Sequence, residues 1–170
     1  MGSFMYGLKK TEVTCICDNV YVITDRAGCC VNLVTGKEKA LVFDTGSGTD
    51  DIHGLVRGIT GLPLVVINSH GHFDHIGAAL QIARAFTIPI YASETEDGML
   101  ADTSLNLTAH FTGHSLSFHA DRLVHDGDEL ELLGYKWKVI ATPGHTAGSV
   151  CYYLPEEEVL LSGDTLFQDS

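Results

Sequence analysis

Basic residues are scarce in this chain. Lysine and arginine together number 10 against 22 aspartates and glutamates, a formal charge of −12, and no basic block occurs. A protein that grips a phosphate backbone normally carries the reverse balance, so nucleic acid is not an expected partner. Bound divalent cations would change that sign only locally. No apolar run approaches the ~20 residues a membrane helix needs, so no membrane partner is expected either. The opening "MGSFMYGLKK" lacks the basic-then-apolar order of a secretory leader. Tyr6 stands where a myristoylation signal has serine or threonine. A cytoplasmic location is the expectation. Cys15, Cys17, Cys29, Cys30 and Cys151 are odd in number and show neither disulfide-framework nor C-x-x-C spacing. They are expected to be reduced and buried, with soft metal ligation by the two close pairs as the alternative. Repeats, linkers and low-complexity segments are also missing, which leaves residues 1–170 as a single domain.

What is present in quantity belongs to a globular protein. With 45% hydrophobic and 19% charged residues, the chain has the composition to bury a core. Residues 13–24 and 30–34 are strand-like, and residues 39–43 follow a "TGKE" turn. Ile52, Leu55, Val56 and Ile59 then fall on one face of a helix. "LPLVVIN" reads as a buried strand, and Ile76, Leu80, Ala83 and Phe86 give helical spacing again. "IPIYAS" is a further strand, after which Ser93 and Glu96 form a capping box for a helix running to about Asp102. Residues 103–119 have weak periodicity and read as a loop or lid. Strand signals return in "DELELLG", "YKWKVIAT", "SVCYYL" and "VLLSGD", with "PEEE" as a hairpin turn. The expected class is α/β, with mixed sheets and helices outside.

The chemistry concentrates in "VVINSHGHFDHIG". His70 and His72 stand two apart where a buried strand ends, so in an extended segment they project to one side. Gly71 between them leaves room for close approach, and Asp74 and His75 follow at the turn into a helix. Imidazoles at one position and a carboxylate with an imidazole at a neighbouring one suit zinc. Iron and manganese accept the same nitrogen and oxygen ligands. A histidine-rich polar turn is the alternative for this segment alone. Two more strands end in the same way, "IATPGHTAGSV" at His145 and "VLLSGDTLF" at Asp164. Three strand ends of one type are hard to attribute to ordinary turns.

These segments resemble the metallo-β-lactamase fold superfamily. "SHGHFDH" is similar to its H-x-H-x-D-H signature, "TPGHTAGS" to its G-H-T motif, "SGDTLF" to its G-D-T-L-F motif, and "LVFDTG" around Asp44 to its early aspartate motif. The resemblance implies an αββα sandwich of two mixed sheets. It implies a first metal on His70, His72 and His145, a second on Asp74 and His75, and Asp164 bridging. Asp44 would support the site from behind, although by itself it reads equally as a turn cap. The implied reaction is attack by metal-bound hydroxide on a small-molecule carbonyl or phosphoryl centre, with Asp74 orienting the nucleophile. "GDTLF" and the histidine directly after Asp74 point to the glyoxalase II-like (hydroxyacylglutathione hydrolase-like) branch, hence to a thioester or ester. A mononuclear iron persulfide dioxygenase shares many of these motifs and stays open.

One feature departs from that pattern. Superfamily members continue to a late histidine that completes the second metal, whereas this sequence stops at Ser170, soon after Asp164. The other histidines, His53, His110, His114, His119 and His125, all precede His145. His110 and His114 are candidates for a loop over the site. An incomplete C-terminal strand and helix layer, an incomplete second metal position and an exposed sheet edge that favours a homo-oligomer are the expectations. A non-catalytic metal-binding or assembly subunit is the corresponding alternative function.

Overall fold

The computed structural model describes residues 9–167. Its first two strands come from the single run at residues 13–24, which doubles back at Asp18 and Asn19. Asn19 takes φ 67, a left-handed conformation that asparagine tolerates better than most residues. The result is an antiparallel pair, β1 (Glu12–Cys17) and β2 (Val20–Thr24), with Cys17 opposite Val20. β3 (Cys30–Thr35) and β4 (Ala40–Phe43) extend the sheet, still antiparallel. β1 is an edge strand and exposed along its whole length. That corrects the expectation of buried cysteines: Cys15, Cys17 and Cys30 are exposed, Cys29 is half-buried, and Cys151 is buried. Alternation in an edge strand reports pleating, and burial follows only where another layer covers it.

The sheet changes character at β4. β5 (Leu64–Ile67), β6 (Ile90–Ser93) and β7 (Arg122–Val124) join it in parallel. Parallel neighbours need crossovers, and helices supply them. α1 (Ile52–Ile59) is the first; Asp51 caps it by accepting from the Gly54 amide, and Ile52 and Val56 are buried as their spacing predicts. The second crossover differs from the expected continuous helix. It breaks into α2 (Phe73–Ile76) and α3 (Ala79–Phe86). At the break, the Gly77 amide donates to Gly46 O at 2.8 Å and is lost to the helix ladder. The third crossover contains α4 (Glu94–Ala101) and α5 (Thr108–Phe111). Residues 103–119 are more firmly held than a free loop. Asn106 is fully buried and its Nδ2 donates to Leu100 O and Leu116 O.

The smaller sheet has the order β11 (Val159–Leu161), β10 (Val150–Leu154), β9 (Tyr135–Ala141) and β8 (Glu129–Leu132), antiparallel at each pairing. Leu133 and Gly134, both at positive φ, turn β8 into β9. All four residues of β5 are buried because it is covered on both faces. Leu64 and Val66 face the helices, while Val65 and Ile67 face the second sheet. There they join Phe43, Trp137, Val139, Val150 and Tyr152. Phe43 and Tyr152 meet edge to face at 5.9 Å across the sheets. Each such fully buried large side chain contributes roughly 1.5–3 kcal/mol. Outside the smaller sheet, Lys136, Lys138, Ile140 and Leu160 are exposed. After β11 the described residues add one 3-10 turn, η1 (Gly163–Thr165). Among the described residues no helix is long and apolar enough to cross a membrane.

Candidate metal centre

The residues that follow β4, β5 and β6 gather at the carboxyl ends of these parallel strands, where α/β sheets place ligands. Both sheets hold the segment after β5: Asn68 N donates to Tyr91 O at 2.9 Å, and Val150 N donates to Ser69 O at 3.0 Å. Asp44, one residue past β4, is 1% exposed and sits at φ 57. Its Oδ1 accepts from Ser69 N at 2.8 Å, and its Oδ2 accepts from Ser69 Oγ at 2.8 Å. A separate cavity of about 700 Å³ opens at the opposite ends of the strands, beside Lys39, Pro63 and Tyr135, away from these groups.

The Ser69 hydroxyl then fixes the tautomer of the first histidine. The Ser69 hydroxyl has given its hydrogen to Asp44, so toward His70 Nδ1, 3.0 Å away, it can only accept. The His70 proton therefore lies on Nδ1, and Nε2 presents a lone pair. That Nε2 is buried and has no hydrogen-bond partner among the described residues. Burial, and then the charge of His75, push the His70 pKa down to about 3, so the ring is neutral at ordinary pH. The rings of His70, His72 and His145 form a near-equilateral triangle with centroids 4.8–4.9 Å apart and nearly perpendicular planes. One ligand atom from each lies within 4.8 Å of the others, and a single ion could be held there. His72 is also pushed down, first by burial and then by His145, whose Nε2 is 2.9 Å from His72 Nδ1. An orphaned, buried imidazole nitrogen facing two other imidazoles is a donor set that fits a metal ion.

His75 lies beside this triangle and is held from both sides. Nδ1 meets Asp44 Oδ2 at 2.9 Å, which turns Nε2 toward Asp164 Oδ1 at 3.2 Å. Burial works against its charge, but the Asp44 carboxylate and the hydrogen bonds to Asp164 and Asp44 prevail and push its pKa up to about 11. Asp164 is held below the usual carboxylate range by its hydrogen bond to His75. Its Oδ2 stands 3.5 Å from His145 Nε2, so its two oxygens face the two histidines separately. His70, His75 and Asp164 form a second group whose ligand atoms lie within 4.8 Å of one another. Asp74 is the outlying member: its Oδ2 is 3.8 Å from His75 Nε2 and its side chain is 31% exposed. His110 and His114 are exposed and belong to neither group.

Sequence comparison agrees with this geometry. The profile of the metallo-beta-lactamase superfamily matches residues 24–170. The chain belongs to the metallo-β-lactamase superfamily. It is 35% identical over 132 residues to the "Probable metallo-hydrolase YqgX" of Bacillus subtilis, covering 77% of this chain and 63% of that protein. It is 32% identical over 143 residues to the hydroxyacylglutathione hydrolase GloC of Haemophilus influenzae, covering 81% of this chain and 66% of the relative. The crystal structure of the BLEG-1 B3 metallo-β-lactamase superposes with a TM-score of 0.73 at 33% identity, covering 83% of this chain and 69% of that one. The chain thus spans a little under two thirds of the length of the YqgX protein.

Several residues that shape this superfamily site are not marked by its motif histidines. Ser69 decides the His70 proton, and only its place directly before His70 hints at the role. Gly163, at φ 49 and directly before Asp164, packs so tightly on the Ser69 side chain that a Cβ would overlap it. Gly77 and Gly48 let two backbone segments cross, Gly77 O lying 2.9 Å from where a Gly48 Cβ would be. The Glu96 carboxylate is turned away from the start of its own helix. Its Oε2 accepts from Gly71 N and its Oε1 from Gly148 N, both at 2.8 Å. The capping box is half formed: Ser93 Oγ caps α4 by accepting from Glu96 N at 3.2 Å, but the Glu96 carboxylate leaves the Ser93 amide for Gly71 and Gly148, which only the fold brings to α4.

Proposed function

We propose that this chain is a metal-dependent hydrolase of a small thioester or ester, of the hydroxyacylglutathione hydrolase kind. The observation that carries the reading is His70 Nε2, buried and without a hydrogen-bond partner among the described residues, in a group with His72 and His145 whose ligand atoms lie within 4.8 Å of one another. The donor set suits zinc first, and iron or manganese are compatible with it. His70, His72 and His145 would hold one position, and Asp74 and His75 a second, with Asp164 between the two. A metal bound there supplies Lewis acidity, polarising the substrate carbonyl and acidifying water. The remaining tasks fall to the chain. Asp74, part-exposed at the outer side of the cluster, orients the attacking water and takes its proton on a carboxylate oxygen. Asp44 holds a proton on His75 Nδ1, so the proton that a bound metal would displace is the one on Nε2, which becomes the ligand atom. No thiol is needed as nucleophile. Burial and the charges of Asp25 and Asp74 push Cys29 up to about 12, far from a reactive thiolate.

The similarity to the Haemophilus hydroxyacylglutathione hydrolase supports the thioester class. Five free thiols support a reducing, cytoplasmic setting. The exposed edge strand β1 supports pairing with a second copy, which light scattering would detect. The test of function is hydrolysis of a glutathione thioester by zinc-loaded protein, with a β-lactam run beside it because of the BLEG-1 similarity. Turnover that survives chelation and the His70→Ala and His145→Ala replacements would refute the metal mechanism. Stoichiometric iron with oxygen uptake on a glutathione persulfide would replace hydrolysis by sulfur oxidation. Bound metal without turnover would leave an assembly role.

A further inference from the structure

We infer that Glu96 is a positioning residue for the three-histidine site, its carboxylate clasping together the two loops that carry the ligands; the inference rests on the metal reading above. The two loops arise from different sheets. His70 and His72 follow β5 of the larger sheet, and His145 lies between β9 and β10 of the smaller one. The Val150 N to Ser69 O bond ties the two sheets just behind these loops, so the separation of the ligands depends on that seam unless something also joins the loops directly. Glu96, 1% exposed in the first turn of α4, does so. One oxygen takes the amide of Gly71, the residue between His70 and His72. The other takes the amide of Gly148, in the loop after His145. Ser93, at the cap of the same helix, donates its hydroxyl to Gly148 O at 2.6 Å, so Gly148 is gripped by both its N–H and its C=O.

The rest of the Gly148 loop transmits that grip toward His145. Thr146 N donates to Ser149 Oγ at 3.2 Å, and Gly144 N donates to Thr146 O at 3.0 Å. Gly148 has no room for a Cβ beside the carboxylate, and at Gly71 the fit is tight enough that Met99 or Glu96 would have to shift. A Cβ on Gly148 would lie 2.7 Å from Thr95 Cβ and 2.8 Å from Glu96 Oε1. One on Gly71 would lie 3.0 Å from Met99 Cγ and 3.2 Å from Glu96 Oε2. A carboxylate buried among backbone amides is expensive to desolvate and contributes little net stability. What it contributes here is geometry: two acceptor atoms at a fixed spacing, aimed at two ligand loops.

Amide hydrogen exchange on the metal-free wild type comes first. The clasp predicts slow exchange at Gly71 and Gly148, and free exchange at either would overturn it, whatever the protein binds. The second measurement uses Glu96→Gln, which keeps the shape but places an amide NH2 against one backbone N–H. Folded Glu96→Gln should bind zinc ~10–100-fold more weakly, the usual loss when a group orienting a ligand is altered. The cobalt(II) absorption spectrum of the site should change with it. Unchanged affinity and spectrum would overturn the inference. Asp97→Asn is the control, because Asp97 lies on the same helix but contacts His119 and Ala120 instead. An equal loss in Asp97→Asn would reduce Glu96 to a helix-stability effect and overturn the inference. Failure of the wild type to bind zinc at all would instead overturn the metal reading and this inference with it. If Glu96→Gln does not fold, the exchange measurement decides.

Discussion

Replacing Asp44 with asparagine changes one atom of the candidate centre and should disturb both stability and metal binding. The new side chain keeps an acceptor for Ser69 N but puts an NH2 where Oδ2 now accepts from Ser69 Oγ and meets His75 Nδ1. The His75–Asp44 pair, 10% and 2% exposed, then has one partner missing. Breaking a buried pair in this way costs ~3–5 kcal/mol. Because the asparagine amide restores part of the network, a loss of about 3 kcal/mol is expected, near the upper value for one hydrogen bond to a charged group. For a chain of this size that is a fall of roughly 6–12 °C in Tm, at ~2–4 °C per kcal/mol. The metal consequence is separate. To accept from the new NH2, His75 Nδ1 must give up its proton, and the one proton the ring keeps is then fixed on Nε2, the atom that faces Asp164. An occupied Nε2 cannot ligate, so affinity at the second position should fall ~10–100-fold. Thermal unfolding in chelator reads the first effect, and zinc titration against a chromophoric chelator reads the second. Asp44→Asn protein with the wild-type Tm and the wild-type second-site affinity would refute the reasoning.

The chelated protein should be most stable in mildly acidic solution. His75, raised from 6.5 to about 11, contributes stability that is complete below 6.5 and is lost as pH rises through about 11. Asp164, lowered from 3.8, contributes above 3.8 and loses its contribution as pH falls through its depressed value. Urea unfolding at pH 6 and pH 9 should thus show a weaker fold at pH 9, and His75→Gln should flatten the slope; an equal slope in both proteins would refute the assignment. Iodoacetamide at neutral pH should modify Cys15, Cys17 and Cys30 before Cys29 and Cys151, read by peptide mass spectrometry, because Cys29 is pushed up to about 12 and Cys151 is buried. Equal labelling of Cys29 and Cys15 would contradict that. Gly77→Ala should destabilise the fold by at least ~1–3 kcal/mol, the usual range for overpacking, since its Cβ would overlap the backbone of Ser47 and Gly48. A Tm within error of wild type would show that the crossing can relax.

The sequence by itself determined the ingredients. Strand ends rich in histidine, aspartate and glycine are local signals, and so are the periodicities of β5 and α1. The structure brings His70, His72, His75, His145 and Asp164 together in two overlapping groups and leaves Asp74, expected among them, at the outer side. Where local reading went astray, a longer-range contact had intervened. The helix expected through Ile76 to Phe86 breaks because Gly46 takes the Gly77 amide, and the cysteines of β1 are exposed because no described residue covers that edge. Only the tertiary structure decided which proton sits on which nitrogen. Ser69 hands its hydrogen to Asp44, His70 keeps its own on Nδ1, and Nε2 is left without a partner among the described residues. It also decided that Glu96 serves two distant loops instead of its own helix. Spacing along a chain can bring a donor within reach of its neighbours, but a hydrogen bond is settled by whichever acceptor the folded backbone brings closest.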